Sequence, residues 1–142
     1  MPLVLDTDHL TVLQRRQQPG CDRLLARLER VPADDVAVTI ISFQEQIQGW
    51  LAFLSRARSA TQIVRAYTEL EAIMRSFSKM NVLSFGQEAQ TRFTHLRGER
   101  LRVATMDLRT ASIALATDST LLSCNLQDFR RVPGLSVEDW TR

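Results

Sequence analysis

Short apolar runs alternate along this chain with longer stretches of helical periodicity. The runs cover residues 3–6, 36–41, 82–85, 120–124 and about 135–138. Between them, apolar residues recur every three or four positions over about 8–14, 22–31, 43–57, 60–77, 87–97 and 107–117. This alternation predicts a mainly parallel sheet of about four or five strands, covered by helices on both faces.

Two consecutive helical stretches, 43–57 and 60–77, are too long together for a simple crossover between parallel strands. They predict a helical hairpin at one edge of the sheet. The chain contains no repeat, low-complexity tract or linker, and its 142 residues fit one ordinary globular unit. We therefore expect a single three-layer α/β/α domain over residues 1–142.

Composition and charge change this picture little. Hydrophobic residues make up 44% of the chain and the formal net charge is +2, which is typical of a globular protein. No apolar stretch approaches the roughly 20 residues that span a bilayer. The N-terminal residues lack the basic lead and cleavage site of a signal peptide. These features predict a cytoplasmic protein without membrane contact.

The cysteines and histidines offer little chemistry by their spacing. Cys21 and Cys124 are isolated, which excludes the clustered spacing of a zinc site. Cys124 falls in an apolar run and is expected to be a small buried side chain. His9 and His95, the only histidines, are interpreted as ordinary surface or helix residues, which disfavours a histidine acid–base mechanism.

Four acidic residues follow apolar runs or open a helical stretch: Asp6, Glu45, Asp107 and Asp128. Ligands of open α/β sheets collect at the carboxyl ends of the strands, so this order carries all four to one edge. Hard divalent cations such as Mg²⁺ prefer oxygen ligands together with substrate phosphates. Arginines suited to phosphate lie nearby in sequence, at positions 97, 100, 102, 130 and 131. The pattern predicts a metal site for phosphate chemistry.

Local explanations compete with this interpretation. Asp6 can be a plain residue of a strand-end loop, and Asp8 is predicted to be the N-cap of the next helix. Ser42 and Glu45 match the S-x-x-E capping box, with Ser42 as the cap. The two interpretations of Glu45 are compatible, because the first turn of that helix lies at the carboxyl edge of the sheet.

The two later acidic residues also have local explanations. Thr105 is a plausible N-cap, and Asp107 would then complement the helix dipole. Asp128 and Asn125 can be ordinary turn residues. No single position is decisive, but their order along the chain is informative.

The ordered set of motifs resembles the PIN domain, and more closely the VapC-type ribonuclease toxins of bacterial toxin–antitoxin pairs. Position 123 is Ser where that family usually has Thr, and position 8 is Asp where Asn or Ser is commoner. The resemblance is carried by residues 3–8, 41–45 with Gly49, 107–114, 121–129 and 131–140.

The resemblance implies metal-dependent cleavage of RNA phosphodiester bonds. Asp6 and Asp107 would be the principal ligands of one or two Mg²⁺ or Mn²⁺ ions. Glu45 would bind metal or orient the attacking water, and Asp128 would complete the shell directly or through water. Ser123 and Asn125 would position the acidic groups.

The resemblance also implies partners: an RNA substrate, a cognate antitoxin protein and a second copy of the chain. Trp50, Phe53 and Leu54 of the predicted hairpin offer apolar area for a homodimer or for an amphipathic helix of the antitoxin. They can equally pack on the sheet. A basic residue of the antitoxin is expected to pair with the carboxylates of Asp6 and Asp107.

Two other functions compete with the ribonuclease. Asp6 and Asp8 match the Asp-x-Asp start of haloacid-dehalogenase-type phosphatases, but Lys79 lacks a suitable context and no late Asp-Asp pair occurs. A catalytically idle PIN-like module that binds RNA or protein is the other alternative. All four acidic positions are filled, which argues against an idle module.

Overall fold

The computed structural model describes residues 2–142. A parallel five-stranded sheet crosses the molecule in the order β3-β2-β1-β4-β5, so the first strand lies in the centre. The strands are β1 (Leu3–Leu5), β2 (Val36–Thr39), β3 (Val82–Leu83), β4 (Thr120–Leu122) and β5 (Ser136–Glu138). The predicted parallel sheet of four or five strands is confirmed.

Seven α-helices lie between and beside these strands in the described chain. They are α1 (Thr7–Arg15), α2 (Gly20–Leu28), α3 (Ile40–Ser55), α4 (Ala60–Ser78), α5 (Gln87–Gly98), α6 (Thr105–Ala116) and α7 (Leu126–Phe129). A 3₁₀ turn at Ala33–Asp35 precedes β2. None of the described helices is long and apolar enough to cross a membrane.

Alternate residues of the central strand face two separate apolar cores. Leu3 and Leu5 point to one core, whose helical side chains come from α1 to α4, whereas Val4 points to the other, built on α5 and α6. This alternation follows from the period of two along a β-strand. The predicted three-layer α/β/α architecture is therefore confirmed.

The predicted helical hairpin is also present, as α3 and α4. The rings of Phe43 and Phe77 meet edge-on at 5.3 Å between the two helices near the sheet. Trp50 and Phe53 form a second edge-on pair, at 5.2 Å, further along α3. The Phe43–Phe77 contact joins α3 to α4, whereas the Trp50–Phe53 pair lies within α3.

Two of the predicted N-caps are wrong. Asp6 rather than Asp8 caps α1, because the Asp6 carboxylate accepts a hydrogen bond from the backbone N–H of Thr7. Thr39 rather than Ser42 caps α3, since its hydroxyl accepts from the Ser42 N–H at 3.2 Å. The strand ends two residues earlier than predicted, and the capping box involving Glu45 does not form.

The start of α6 also differs from the prediction. The helix begins at Thr105 itself, and Ala104 occupies the N-cap without a side-chain hydrogen bond. Asp107 consequently lies in the first turn, where a negative charge complements the helix dipole.

Candidate functional site

The strand order brings the four predicted carboxylates to one edge of the sheet. Asp6 follows β1, Glu45 lies on α3 after β2, Asp107 lies in the first turn of α6, and Asp128 lies on α7 after β4. Each is electrostatically coupled to at least one of the others through Asp107. We call the space between these four residues the acidic pocket.

Asp6 is the most deeply placed of the four. Its side chain is 6% exposed, and its two oxygens accept hydrogen bonds from the Thr7 N–H at 2.9 Å and the Ser123 hydroxyl at 2.8 Å. Burial, with added repulsion from Asp8 and Asp107, raises the pKa of the Asp6 carboxyl to about 7. Burial therefore favours the neutral form of the Asp6 carboxyl, and a bound cation would favour its charged form.

Glu45 is held by a hydroxyl that the sequence interpretation did not single out. The Thr7 Oγ1 lies 3.0 Å from Glu45 Oε1 and 2.9 Å from the Ser42 hydroxyl. Burial, together with repulsion from Asp107 and Asp8, raises the pKa of Glu45 although the Thr7 bond opposes the change. Thr7 therefore fixes the orientation of Glu45 in the acidic pocket.

Asn125 joins the remaining two carboxylates. Its Nδ2 lies 3.1 Å from Asp128 Oδ2 and 3.5 Å from Asp107 Oδ2. Burial and the neighbouring Asp128 raise the pKa of Asp107. The guanidinium of Arg131 donates to Asp128 at 3.2 Å and to the backbone oxygen of Arg102 at 3.0 Å.

Asp8 has a positioning role instead of the predicted cap. One carboxylate oxygen accepts from the Cys124 N–H at 2.9 Å and lies 3.2 Å from the Ser123 hydroxyl. The other lies 2.8 Å from Nδ1 of His9. Asp8 thereby ties α1 to the segment after β4, at the edge where the acidic pocket lies.

His9 is a helix residue of α1, as one of the two predicted alternatives has it, but it is fully buried rather than at the surface. Its Nε2 accepts a hydrogen bond from the backbone N–H of Trp140 at 3.1 Å. His95, in contrast, is exposed and lies 3.2 Å from Glu99 on the surface of α5. The sequence gives no signal for this difference, because both histidines lie in helices.

Cys124 was predicted to be buried and is exposed. The prediction was wrong because β4 ends at Leu122, so that Cys124 lies beyond the strand. Cys124, Asp8 and His9 offer ligand atoms within 4.8 Å of one another. However, Nε2 of His9 is an acceptor, so the ring proton is on Nδ1, which hydrogen-bonds Asp8. This grouping is a hydrogen-bonded cluster rather than a metal site.

The acidic pocket has the donor chemistry that a hard divalent cation requires. Asp128 is the only one of its four carboxylates with an arginine or lysine nitrogen within 4.0 Å in the described residues. No three of the four have oxygens within 4.8 Å of one another over residues 2–142. An ion would therefore contact one or two carboxylates directly and the others through water, as is common for Mg²⁺.

The parallel sheet and its acidic edge form the three-layer arrangement expected of a PIN-like fold, the class that the sequence resembles. The chain is 30% identical over 69 residues to Ribonuclease VapC2 of Rickettsia felis, a match that covers 46% of this chain. It spans about half, 52%, of that relative's length. No family model matches the chain. The resemblance to VapC-type proteins drawn from the motifs is confirmed.

Solved structures extend the fold comparison to the whole chain. VapBC-1 from nontypeable Haemophilus influenzae aligns with a TM-score of 0.76 and 19% identity, covering 100% of both chains. DNA-bound VapBC from Salmonella typhimurium gives 0.75 and 21%, covering 99% of this chain and 98% of that one. VapBC2 from Rickettsia felis, bound to a promoter DNA fragment, gives 0.71 and 22%, with 99% coverage of both.

Proposed function

We propose that this chain is a metal-dependent endoribonuclease and the toxin of a toxin–antitoxin pair, formed by a single PIN-like domain over residues 1–142. The observation that carries the proposal is the acidic pocket, where Asp6, Glu45 and Asp107 have no basic side chain within ion-pair distance in the described part of the chain. The similarity to a VapC ribonuclease supports the reaction class.

In this proposal the pocket holds Mg²⁺ or Mn²⁺. Such an ion activates water and stabilises the leaving oxygen of a phosphodiester. Asp6 and Asp107 are the principal ligands, and Glu45, oriented by Thr7, binds metal or orients the attacking water. Asp128, held by Asn125 and Arg131, acts through water, because its charge is already partly neutralised.

The raised pKa of the Asp6 carboxyl supports a cation-dependent site. Without metal, Asp6 retains its proton up to about pH 7, since burial disfavours its charged form. Binding of a cation releases that proton, so the apparent metal affinity rises with pH. Ser123 and the Thr7 N–H keep the carboxylate oriented in both states.

Exposed arginines that precede α6 supply positive charge suited to an RNA substrate. Arg97, Arg100 and Arg102 are exposed on α5 and the segment that leads into α6. Arg100 and Arg102 have φ angles of 54° and 57°, a left-handed conformation that is uncommon outside glycine. Arg131 fixes this segment by binding the Arg102 carbonyl. These arginines can contact backbone phosphates without reading base sequence.

The test of the function is an RNA cleavage assay on the purified chain with Mg²⁺, Mn²⁺ or EDTA. We expect cleavage with either metal and none with EDTA. Hydrolysis of small phosphate esters instead would indicate a phosphatase, and metal-independent RNA binding without cleavage would indicate an idle module. Expression without an antitoxin is expected to arrest growth.

A groove along the helical hairpin is a candidate site for the antitoxin. It encloses about 880 Å³ between α1, α3 and α4. Trp50, Phe53 and Ile73 supply its apolar lining, and its charged lining residues are Arg15, Arg56, Arg65 and Glu69. An amphipathic helix suits such a groove. A solved toxin–antitoxin complex from Klebsiella pneumoniae has a similar fold, which supports this proposal.

Replacing Trp50 by Ala is expected to weaken antitoxin binding by about 2–4 kcal/mol, because a buried aromatic anchor dominates such interfaces. Calorimetry with the co-expressed antitoxin would measure the change. Leu25→Ala is the control, since Leu25 is exposed on α2 and does not line the groove. Equal affinities of both variants would exclude the groove as the binding site.

A homodimer is also proposed, and the exposed apolar side chains of α4 indicate where it forms. Val64 and Tyr67 are 64% and 59% exposed, whereas Trp50 and Phe53 are partly buried. Sedimentation at micromolar concentration should give a dimer, which Val64→Asp should dissociate by placing charge in an apolar contact. Leu25→Asp, on exposed Leu25 of α2, is the control and should remain dimeric. A monomeric wild type would contradict the proposal.

A further inference from the structure

His9 links the segment after β5 to the edge of the acidic pocket. Its ring is fully buried, and both nitrogens have partners: Nδ1 lies 2.8 Å from Asp8 Oδ1, and Nε2 lies 3.1 Å from the Trp140 nitrogen. The mechanism described above does not use this residue. A buried polar ring with two directed hydrogen bonds serves to orient its neighbours.

The Trp140 contact fixes the tautomer of this ring. A backbone N–H can only donate, so Nε2 of His9 must accept, and the proton of the neutral ring is on Nδ1. Nδ1–H then donates to Asp8. The segment after β5 therefore determines which atom of His9 faces Asp8.

Asp8 in turn affects the Ser123 hydroxyl, which donates to Asp6 in the acidic pocket. Ser123 has one hydroxyl proton and two carboxylate neighbours, Asp6 at 2.8 Å and Asp8 at 3.2 Å. Asp8 already receives donors from His9 and from the Cys124 N–H. The Ser123 proton is therefore left for Asp6.

We propose that His9 is a positioning residue for metal-dependent cleavage, because it anchors Asp8 and so keeps the Ser123 hydroxyl directed at Asp6. The inference rests on the proposed function. His9 touches neither the metal ligands nor the surface where RNA would bind, so its effect is on kcat and on the metal concentration needed, and not on KM for RNA. Partners beyond the ligands of a metal site commonly have such effects.

Two substitutions separate the two hydrogen bonds of His9. The amide of His9→Asn occupies the position of Nδ1 and can still donate to Asp8. The amide of His9→Gln occupies the position of Nε2, where its oxygen can accept from Trp140 but leaves Asp8 without that donor. We expect His9→Gln to lower kcat by about 10- to 100-fold, and His9→Asn to keep kcat closer to the wild-type value.

A double-mutant cycle with Asp8→Asn distinguishes a loss of kcat through positioning from a loss of kcat through poor folding. An uncharged residue at position 8 depends less on the hydrogen bond from His9. The decrease in kcat caused by His9→Gln should therefore be much smaller when Asp8→Asn is already present. Thermal unfolding would establish that each variant is folded at the assay temperature. His95→Gln, which changes the exposed histidine, is the control and should leave kcat unchanged.

Nitrogen NMR of the wild type gives a readout that does not depend on activity. With two histidines in the chain, His95→Gln assigns the spectrum, and His9 should show a protonated Nδ1 and an unprotonated Nε2. The opposite tautomer, or the same kcat loss for His9→Gln with and without Asp8→Asn, would overturn the positioning role. Failure of the wild type to cleave RNA would instead overturn the proposed function itself.

Discussion

Replacing Asp107 by Asn is expected to abolish metal-dependent RNA cleavage while the chain remains folded. The change removes one anionic ligand from the acidic pocket at nearly constant shape. Loss of a direct ligand should exceed the roughly 10- to 100-fold cost of losing an outer partner. The fold should survive because burial and the charges of Asp128 and Asp8 raise the pKa of Asp107 in the native protein, and the neutral amide avoids both penalties.

Initial rates of RNA cleavage at saturating Mn²⁺ would measure this loss, with circular dichroism to verify the fold. Asp118→Asn is the matched control, because Asp118 follows the opposite end of α6 and is exposed. Its left-handed backbone, with φ 51°, suits Asn as well as Asp. Full activity of Asp107→Asn would refute the proposed site.

Asp6→Asn is expected to stabilise the metal-free protein at and above neutral pH. The pKa of Asp6 is about 7 when folded and 3.8 for an unperturbed carboxyl, so between these values the folded state holds a proton that the unfolded state has lost. Wild-type stability therefore falls as pH rises from about 4 to about 7. At about 1.36 kcal/mol per pKa unit, removing the charge should gain on the order of 2–4 kcal/mol at pH 8.

Denaturant unfolding in EDTA at pH 4 and pH 8 would test this expectation. The advantage of the Asn variant should be small at pH 4, because the folded state holds Asp6 protonated there and buries no charge. Asn is also a good N-cap for α1, so the substitution should not destabilise the protein by removing the cap. With saturating Mn²⁺ the difference in free energy of unfolding between the two proteins should shrink or change sign. The ion stabilises the wild type, which binds it, more than the variant, which has lost a ligand. A variant less stable than wild type at pH 8 in EDTA would contradict the prediction.

The layered fold could be predicted from the sequence because its signals are local. Runs such as residues 36–41 and the helical periodicity of 60–77 are visible without knowledge of the partners. Element ends were less accurate, since they depend on which hydroxyl reaches a free backbone N–H. Thr39 and Ser42 are both good caps, and the competition between them decided where α3 begins.

The carboxylates of the acidic pocket could be predicted because topology alone brings strand ends together. Their supporting residues could not. Thr7 meets Glu45 across 38 positions, and His9 meets Trp140 across 131. Such pairs depend on strand order and side-chain direction, which no short motif encodes. Cys124 was misplaced for a related reason, as an apolar run does not reveal that its strand stops two residues earlier.

The central position of β1 has a consequence for how the protein is made. A ribosome produces Asp6 and His9 early, yet Ser123 and Trp140, which complete their surroundings, come more than a hundred residues later. At the usual pace of synthesis this interval lasts on the order of ten seconds. Throughout it, β1 lacks β4 beside it, and the carboxylates cannot gather. A nascent chain therefore cannot assemble the complete acidic pocket until β4 and the residues after it have been translated.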